Sequence, residues 1–396
     1  MEFNNDKQIL NNKNKKNKKN RIIKSIFIFC LFLLLIEFSF NTLLFPSKEY
    51  IVEITNYDGY DKIKEIYVKN SFYKQFYDEI TILSNIYLNK EIKEKKIIHV
   101  SMSLNDQYSY IVLVSMESIL VNCNKNETFL IFHILCTPDV GKESLMKIKS
   151  LMDYYASNLK IIFYGMGNNF NGYKNIRFSQ AAYYRLLLPI IVYTDRIIYL
   201  DGDTLTITDL AKMYDSNFDN NYVLGVPGIA AWGLDYLGIK FKNWINDGVL
   251  LINSKKIRDD NKCFDLLNIT MSGIKLNHDD NTVVNYALFP YIGNLPAKYG
   301  LWNFFDKEDI KKYSSFLRQK INISEYEEAR REPGVIHNVL CNPKPWHFDS
   351  NFIETVTTCK KRNNCSCIKF HNLWHFYAKK TDYYEEILQI LKQKKK

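Results

Sequence analysis

Apolar positions along this chain follow two alternating rhythms. From Lys96 the pattern reads as strand, helix, strand, helix, strand. The segments are "KIIHVSM" (96–102), "YIVLVSMESILVN" (110–122), "TFLIFHIL" (128–135), "KESLMKIKSLMDYYA" (142–156) and "LKIIFY" (159–164). Strands rich in β-branched and aromatic residues, separated by helices of this length, predict βαβ units. The expected class is α/β with a mostly parallel central sheet. Further on, "AAYYRLLLP" predicts a helix stopped by Pro189, with Arg185 among its apolar positions. Ile197–Leu200 predicts a short buried strand, and "NDGVLLINSKKI" (246–257) a strand that leads into a helix. "DDNTVVNYALF" (279–289) is helical. Val335 and Ile336 predict a strand end that fixes His337, with Lys344 in the Pro-rich loop beyond. Residues 372–391 form an amphipathic C-terminal segment, and 392–396 a basic tail.

The first 95 residues follow other patterns. Residues 1–21 are Asn/Lys low complexity and read as a disordered, basic, cytoplasmic tail. Residues 22–44 read as a single transmembrane anchor whose uninterrupted apolar core is Ile26–Ile36. Lys24 can snorkel at one interface, and Glu37 falls near the other. No small-x-small cleavage site follows, so the span reads as uncleaved. Residues 45–95 are charged and Tyr-rich and read as a partly helical stem, with the catalytic domain over 96–391.

Charge sharpens this organisation. The chain carries a formal +10, but eight Lys and Arg against Glu2 and Asp6 place +6 of it in the first 24 residues. A nucleic-acid patch would also be basic, yet this one directly precedes an apolar run. It therefore reads as a topology signal, with the N-terminus cytoplasmic and the rest lumenal. The expected setting is a single-pass protein of the Golgi or endoplasmic reticulum, the alternative being a bacterial inner membrane. Nucleic acid is not an expected partner. Four glycosylation triplets, at Asn126, Asn268, Asn322 and Asn364, fall on the exported side. Seven Cys lie beyond the span, and an oxidising lumen would permit disulfides among them. Cys365-Ser-Cys367 with Cys359 and His371 lacks the usual C-x2-4-C spacing of a zinc site.

The strongest chemical signal is Asp201-Gly202-Asp203, directly after the strand at 197–200. Two carboxylates one residue apart can grip one hard cation, and the Gly lets the backbone turn so that both point the same way. An Asp-Gly surface turn is the plain alternative. In a parallel sheet, ligands bind at the carboxyl ends of strands, where this turn is expected.

Five motifs occur in order: Y-x-R-L-L-L-P (183–189), L-D-G-D-T (200–204), N-x-G-V-L-L-I-N (246–253), D-N-x-x-x-N (280–285), and I-H (336–337) before K-P-W (344–346). Over Lys96–Ala378 the chain resembles glycosyltransferase family 8, the family of glycogenin and of bacterial lipopolysaccharide galactosyl- and glucosyltransferases. The resemblance implies a GT-A-type fold, a UDP-sugar donor (UDP-glucose or UDP-galactose), Mn²⁺, and hexose transfer with retention to a glycan, glycoprotein or glycolipid. It implies Asp201, Asp203 and His337 as metal ligands, a donor set that suits Mn²⁺. It places Lys344 on the diphosphate and Arg185 near the donor sugar and phosphate. Asn246, Asp280 and Asn281 fall on the donor sugar, Asp280 and Asn281 as the expected catalytic residues, with Asn281 where the family has a Gln close to the anomeric carbon. The plain alternative, ranked below the site role, is that Asp279, Asp280 or Asn281 caps the following helix. Tyr108 matches an aromatic that stacks on the uracil, and Asn105 stands where the family has a base-contacting Asp. Asp247 stands where a small residue normally follows the Asn. One extra residue separates His337 from Lys344, and the family's phosphate-contacting Gly is absent.

Two other classes fit parts of this pattern. A non-catalytic sugar-nucleotide or glycan binder would keep the same pocket. A phosphoryl-transfer enzyme could use the same D-G-D, but the Gly-rich phosphate loop followed by Lys-Ser/Thr is missing.

Overall fold

The structure, a computed structural model, describes residues 59–84, 95–173, 179–228, 244–272, 279–302, 322–339, 344–347 and 370–393. All lie in the second of the two units into which the chain divides, Met1–Asn56 and Tyr57–Lys396. The expected tail and anchor, Cys341 and the Cys359–Cys367 cluster, and residues 340–343 before Lys344 lie outside the described residues. No helix among the described residues is long and apolar enough to cross a membrane.

The alternating pattern folds as two successive βαβ units. Strand β2 (Lys96–Leu104) leads through α3 (Ser109–Asn122) to β3 (Thr128–Cys136). The chain then runs through α4 (Lys142–Lys149) and α5 (Leu151–Tyr155) to β4 (Leu159–Gly165). These three strands pair in parallel, and β3 is buried along its whole length. A strand covered on both faces needs this continuous apolar run. The next strand, β5 (Ile197–Leu200), returns to pair in parallel with the other edge of β2. Beyond it lie β8 (Ile245–Ile252), β7 (Val223–Pro227) and β9 (Ile292–Asn294), with β8 antiparallel to both neighbours. With β1 (Thr81–Ser84) at one edge, the sheet order is β1-β4-β3-β2-β5-β8-β7-β9. Strand order thus reverses between β2 and β5, and open α/β sheets bind ligands in the crevice at such a reversal.

A second, three-stranded sheet stands beside the first. It orders β10 (Leu301–Trp302), β11 (Val335–His337) and β6 (Thr204–Thr206). Helix α3 is apolar on all sides because it serves both sheets. Val112, Leu113 and Met116 pack with the main sheet's Val100, Phe132 and Leu200. Tyr110, Ile111 and Val114 pack with Leu205, Ile336 and Trp374. A helix hydrophobic all round is a buried one.

Three expectations change. Residues 59–84 of the expected stem form α1 (Gly59–Tyr67), α2 (Ser71–Tyr77) and β1 (Thr81–Ser84). Strand β1 adds antiparallel to β4, and Tyr73, Phe76 and Tyr77 sink into the core under the sheet. Pro189 does not stop its helix. The segment runs from α6 (Gln180–Tyr183) through a 3-10 turn (Tyr184–Leu187) into α7 (Leu188–Ile191), with Pro189 in the first turn of α7. In a first turn the missing N–H costs no bond. Gly202, finally, does not adopt a left-handed φ. It is small because a Cβ there would meet Val112 Cγ2 at 2.8 Å.

Candidate active site

The site forms where the two sheets meet. Strand β5 ends at Leu200, the Asp201-Gly202-Asp203 turn follows, and β6 begins at Thr204. Strand β6 pairs antiparallel with β11, which sets His337 opposite Thr204. Strand register therefore brings two carboxylates and an imidazole together from positions 136 and 134 residues apart in sequence. His337 Nε2 lies 3.2 Å from Asp203 Oδ1 and 3.5 Å from Asp201 Oδ2. The ligand atoms of the three residues all lie within 4.8 Å of one another. The Asp201 N–H donates to the Gly248 carbonyl at 2.8 Å, and Thr204 Oγ1 donates to the Asp201 carbonyl at 2.8 Å. Asn338 holds Asp203 from the other side, its N–H and side-chain amide both donating to the Asp203 carbonyl.

Electrostatics mark this as a cation site. Burial alone would lower the His337 pKa, but Asp203 and Asp201 raise it to about 9. Burial would raise both carboxyls, yet Arg185 and His337 hold Asp201 below its ordinary value, and Lys344 and His337 do the same for Asp203. Lys344 Nζ reaches Asp203 Oδ2 at 2.7 Å. The carboxylate–carboxylate–imidazole set fits a divalent metal, and β8 packs tightly against it. A Cβ on Gly248 would sit 2.1 Å from His337 Cε1 and 2.5 Å from Asp201 Oδ2. Only glycine lets β8 pass so close to the ligands.

Arg185, 5% exposed, is the second centre. Its Nη2 donates to Asp201 Oδ1 at 2.8 Å, its Nη1 pairs with Asp247 Oδ2 at 3.3 Å, and its Nε pairs with Asp280 Oδ2 at 3.1 Å. Nη1 also donates to the Asp247 carbonyl, and Nε donates to the Ala182 carbonyl at 2.8 Å. The guanidinium lies over the Tyr199 ring. One cation thus faces three carboxylates. Burial, and then the facing charge of Asp247, pushes Asp280 well above the carboxylate range against the pull of Arg185.

The D-N-x-x-x-N motif proves to be partly scaffold. Helix α11 (Asp279–Ala287) carries Asn281 and Asn285 four residues apart, hence on one face. Asn281 accepts from Trp244 Nε1 at 2.8 Å and donates to the Ile245 carbonyl at 3.0 Å. Asn285 accepts from the Ile245 N–H and donates to its carbonyl, both at 2.9 Å. The two amides clamp the helix to the start of β8. Asp280 turns instead toward Arg185. Asn246 lies on β8 and accepts from the Gly248 N–H at 3.1 Å.

Asn105 and Tyr108 stand across the strand reversal, at the carboxyl end of β2. Asn105 caps the short turn Asp106–Tyr108, its Oδ1 accepting from the Tyr108 N–H at 3.0 Å. Tyr108 as a whole residue is 45% exposed. Sequence reading missed Gly248, Asn285 and Asn338 as parts of the site. The glycine in N-D-G and the four-residue Asn spacing were the available signals. Asn338 carried none.

The sequence profile of glycosyl transferase family 8 matches residues 99–350, well over half of the chain. With the fold and site above, this chain belongs to glycosyltransferase family 8 and is an enzyme of that class. Among its relatives, a lipopolysaccharide 1,2-glucosyltransferase of Escherichia coli is 25% identical over 316 residues, covering 77% of this chain and 89% of the relative. The glycosyltransferase GlyB of Streptococcus pneumoniae is 24% identical over 220 residues, 56% of this chain and 47% of that protein. The solved structure of the bifunctional glycosyltransferase WbbM matches with a TM-score of 0.59 at 18% identity, over 77% of this chain and 53% of that one. This chain thus spans about half the length of GlyB and of WbbM.

Proposed function

We propose that this glycosyltransferase moves a hexose from a UDP-sugar to a glycan, glycoprotein or glycolipid, with Mn²⁺ held by Asp201, Asp203 and His337. The observation that carries the reading is the carboxylate–carboxylate–imidazole cluster at the sheet's reversal, flanked by Lys344 and Arg185. When bound, the metal supplies charge neutralisation for the departing nucleotide diphosphate. Lys344 presents a compact ammonium charge suited to a phosphate oxygen. Arg185, fixed by three carboxylates, is preorganised and excluded from water, so it can orient the donor without losing entropy of its own. Asn246 and Asp280 offer polar groups to sugar hydroxyls, and Asn281 supports that wall through Trp244 and β8. Tyr108 and Asn105 receive the base, the ring stacking on it. Of the two donors, UDP-glucose agrees with the activity named for the Escherichia coli relative, a glucosyltransferase.

For its setting we propose a single-pass anchor at 22–44 with the enzyme domain across the membrane. The described acceptor residues Asn126, Asn268 and Asn322 are all exposed. The test of function is a panel of UDP-sugars assayed for UDP release with Mn²⁺ or with EDTA. Release from one UDP-hexose, lost with EDTA, is the expected result. Tight UDP-sugar binding without turnover would make the protein a binder instead.

A further inference from the structure

A loop at the carboxyl end of β4 is held by a part of the chain that the family profile does not reach. The profile match begins at residue 99, and α1, α2 and β1 precede it. Strand β1 pairs Thr81 with Gly165, the last residue of β4. In the loop that follows, 166–173, Gly167 has a φ of 55°, Phe170 of 63° and Gly172 of 76°. A phenylalanine in this region is strained, and such a conformation persists only where its surroundings impose it. Here the N-terminal segment imposes it. The Asn168 N–H donates to Glu79 Oε2 at 2.8 Å, and Asn169 Nδ2 donates to the Phe76 carbonyl at 3.0 Å. A Cβ on Gly167 would lie 2.4 Å from the Glu79 carbonyl oxygen, so the two backbones touch. The buried Phe170 ring packs against Phe76, Tyr183 and Tyr184, and the last two lead directly into Arg185. The same loop bounds open space. Phe170, Asn171, Gly172 and Tyr173 line a cavity of 480 Å³ together with Asn105 and Thr137, the residues that follow β2 and β3.

We propose that Glu79, with the Phe76 carbonyl beside it, is a positioning residue of the transfer: it fixes the loop 166–173 as a wall of the cavity that takes the nucleoside end of the donor. This rests on the reading of Asn105 as a contact of the base. The cavity falls in the size range of small-ligand pockets, about 300–1,000 Å³. Its described lining holds no Lys or Arg and one carboxylate, Asp139, so it suits an uncharged nucleoside and not a diphosphate. Amides and a hydroxyl can pair with the edge of a base or with ribose, and an aromatic ring can stack. An anchored loop presents this wall before the ligand arrives. A loose one must be ordered on binding, at a cost in affinity. The effect of the anchor therefore falls on binding rather than on turnover.

The experiment titrates UDP and UMP into the full chain with Mn²⁺ by calorimetry and measures donor KM and kcat beside a melting curve. It compares the wild type with Glu79→Ala, Glu79→Gln and Gly167→Ala. Glu79→Ala is expected to raise the Kd of UDP, the Kd of UMP and the donor KM by one common factor of roughly ten, with kcat within about twofold of the wild type. UMP shares the factor because the loop meets the nucleoside and not the second phosphate. Glu79→Gln keeps a side-chain oxygen that can accept from Asn168, so its affinities should stay within about threefold of the wild type. Gly167→Ala drives a Cβ into the Glu79 backbone at a left-handed φ, so the loop must shift and both nucleotides should weaken at least as much as in Glu79→Ala. Wild-type affinity for UDP and UMP in both Glu79→Ala and Gly167→Ala overturns the proposal alone. So does a fall in kcat and melting temperature with KM unchanged, which is what a merely structural role would give. A wild type that binds UDP no better than inorganic pyrophosphate overturns the nucleotide reading of the site and this inference together.

Discussion

The two sides of the strand reversal are built differently. At the end of β5, Asp201, Asp203 and His337 are held by strand register, by Gly248 and by ion pairs to Arg185 and Lys344. At the end of β2, Asn105 caps its own turn and Tyr108 is exposed. The first side is set by the fold before any ligand arrives, so its geometry is available to chemistry. The second becomes a site only when something stacks on it. Damage to the first should therefore fall on turnover, and damage to the second on donor binding.

The largest effect should follow from Asp203→Asn or Asp201→Asn. Each removes a charge from the metal site, and turnover with Mn²⁺ should fall by about 1,000-fold, or ~4 kcal/mol. Steady-state rates with a melting curve check this, since the fold should persist. Gly248→Ala should come next. Its Cβ would overlap His337 and Asp201, so the ligands must move, and kcat should drop about 100-fold. Gly202→Ala sharpens the contrast. There the Cβ meets only a methyl of Val112, which a small side-chain shift can relieve, so the loss should be smaller. On the other side, Tyr108→Ala should raise the donor KM about tenfold and leave kcat near the wild-type value, as expected for loss of one stacking ring. A fall in kcat instead would erase the distinction between the two sides.

The smallest effect concerns the other end of the same strands. His99 Nδ1 and His133 Nε2 lie 2.9 Å apart, and His133 Nδ1 lies 2.9 Å from the Tyr164 hydroxyl. Burial lowers His99 to about 4 and His133 well below its ordinary value, with Lys160 adding to both. In the unfolded chain both would titrate near 6.5. Protons then bind the unfolded state first, so stability is full above pH 6.5 and is lost as pH falls toward 4. The melting temperature should decline over that window, and His99→Gln should flatten the decline.

Much of this arrangement was legible in the sequence, for identifiable reasons. Strands β2 to β5 and β8 are continuous or nearly continuous apolar runs, and Asp201-Gly-Asp203 is a local signal at a strand end. Val335-Ile336 before His337 announced a strand end, and β11 supplies it. Strands β6, β7, β9 and β10 are two to five residues long, too short for a period to show. The aromatic segment before β1 hid its role among charges, although Tyr73, Phe76 and Tyr77 fall at helical spacing on one buried face. Arg185, Asp201 and Asp280 were placed by motif, but the ion pairs that join them could not be read. Asp247 and Asp280 reach Arg185 from 62 and 95 residues away, and only the folding of β8 and α11 around it brings them in. Asn281 matched a catalytic position by motif, yet its amide is taken up by Trp244 and Ile245, a tertiary fact with no local trace.

The most direct measurement is a Mn²⁺ titration followed by electron paramagnetic resonance in the presence of UDP, on the wild type, Asp203→Asn and His337→Ala. One tight site in the wild type, lost in Asp203→Asn and weakened roughly tenfold or more in His337→Ala, is the predicted result. Equal Mn²⁺ affinity in all three proteins would contradict the assignment of the cluster as the metal site.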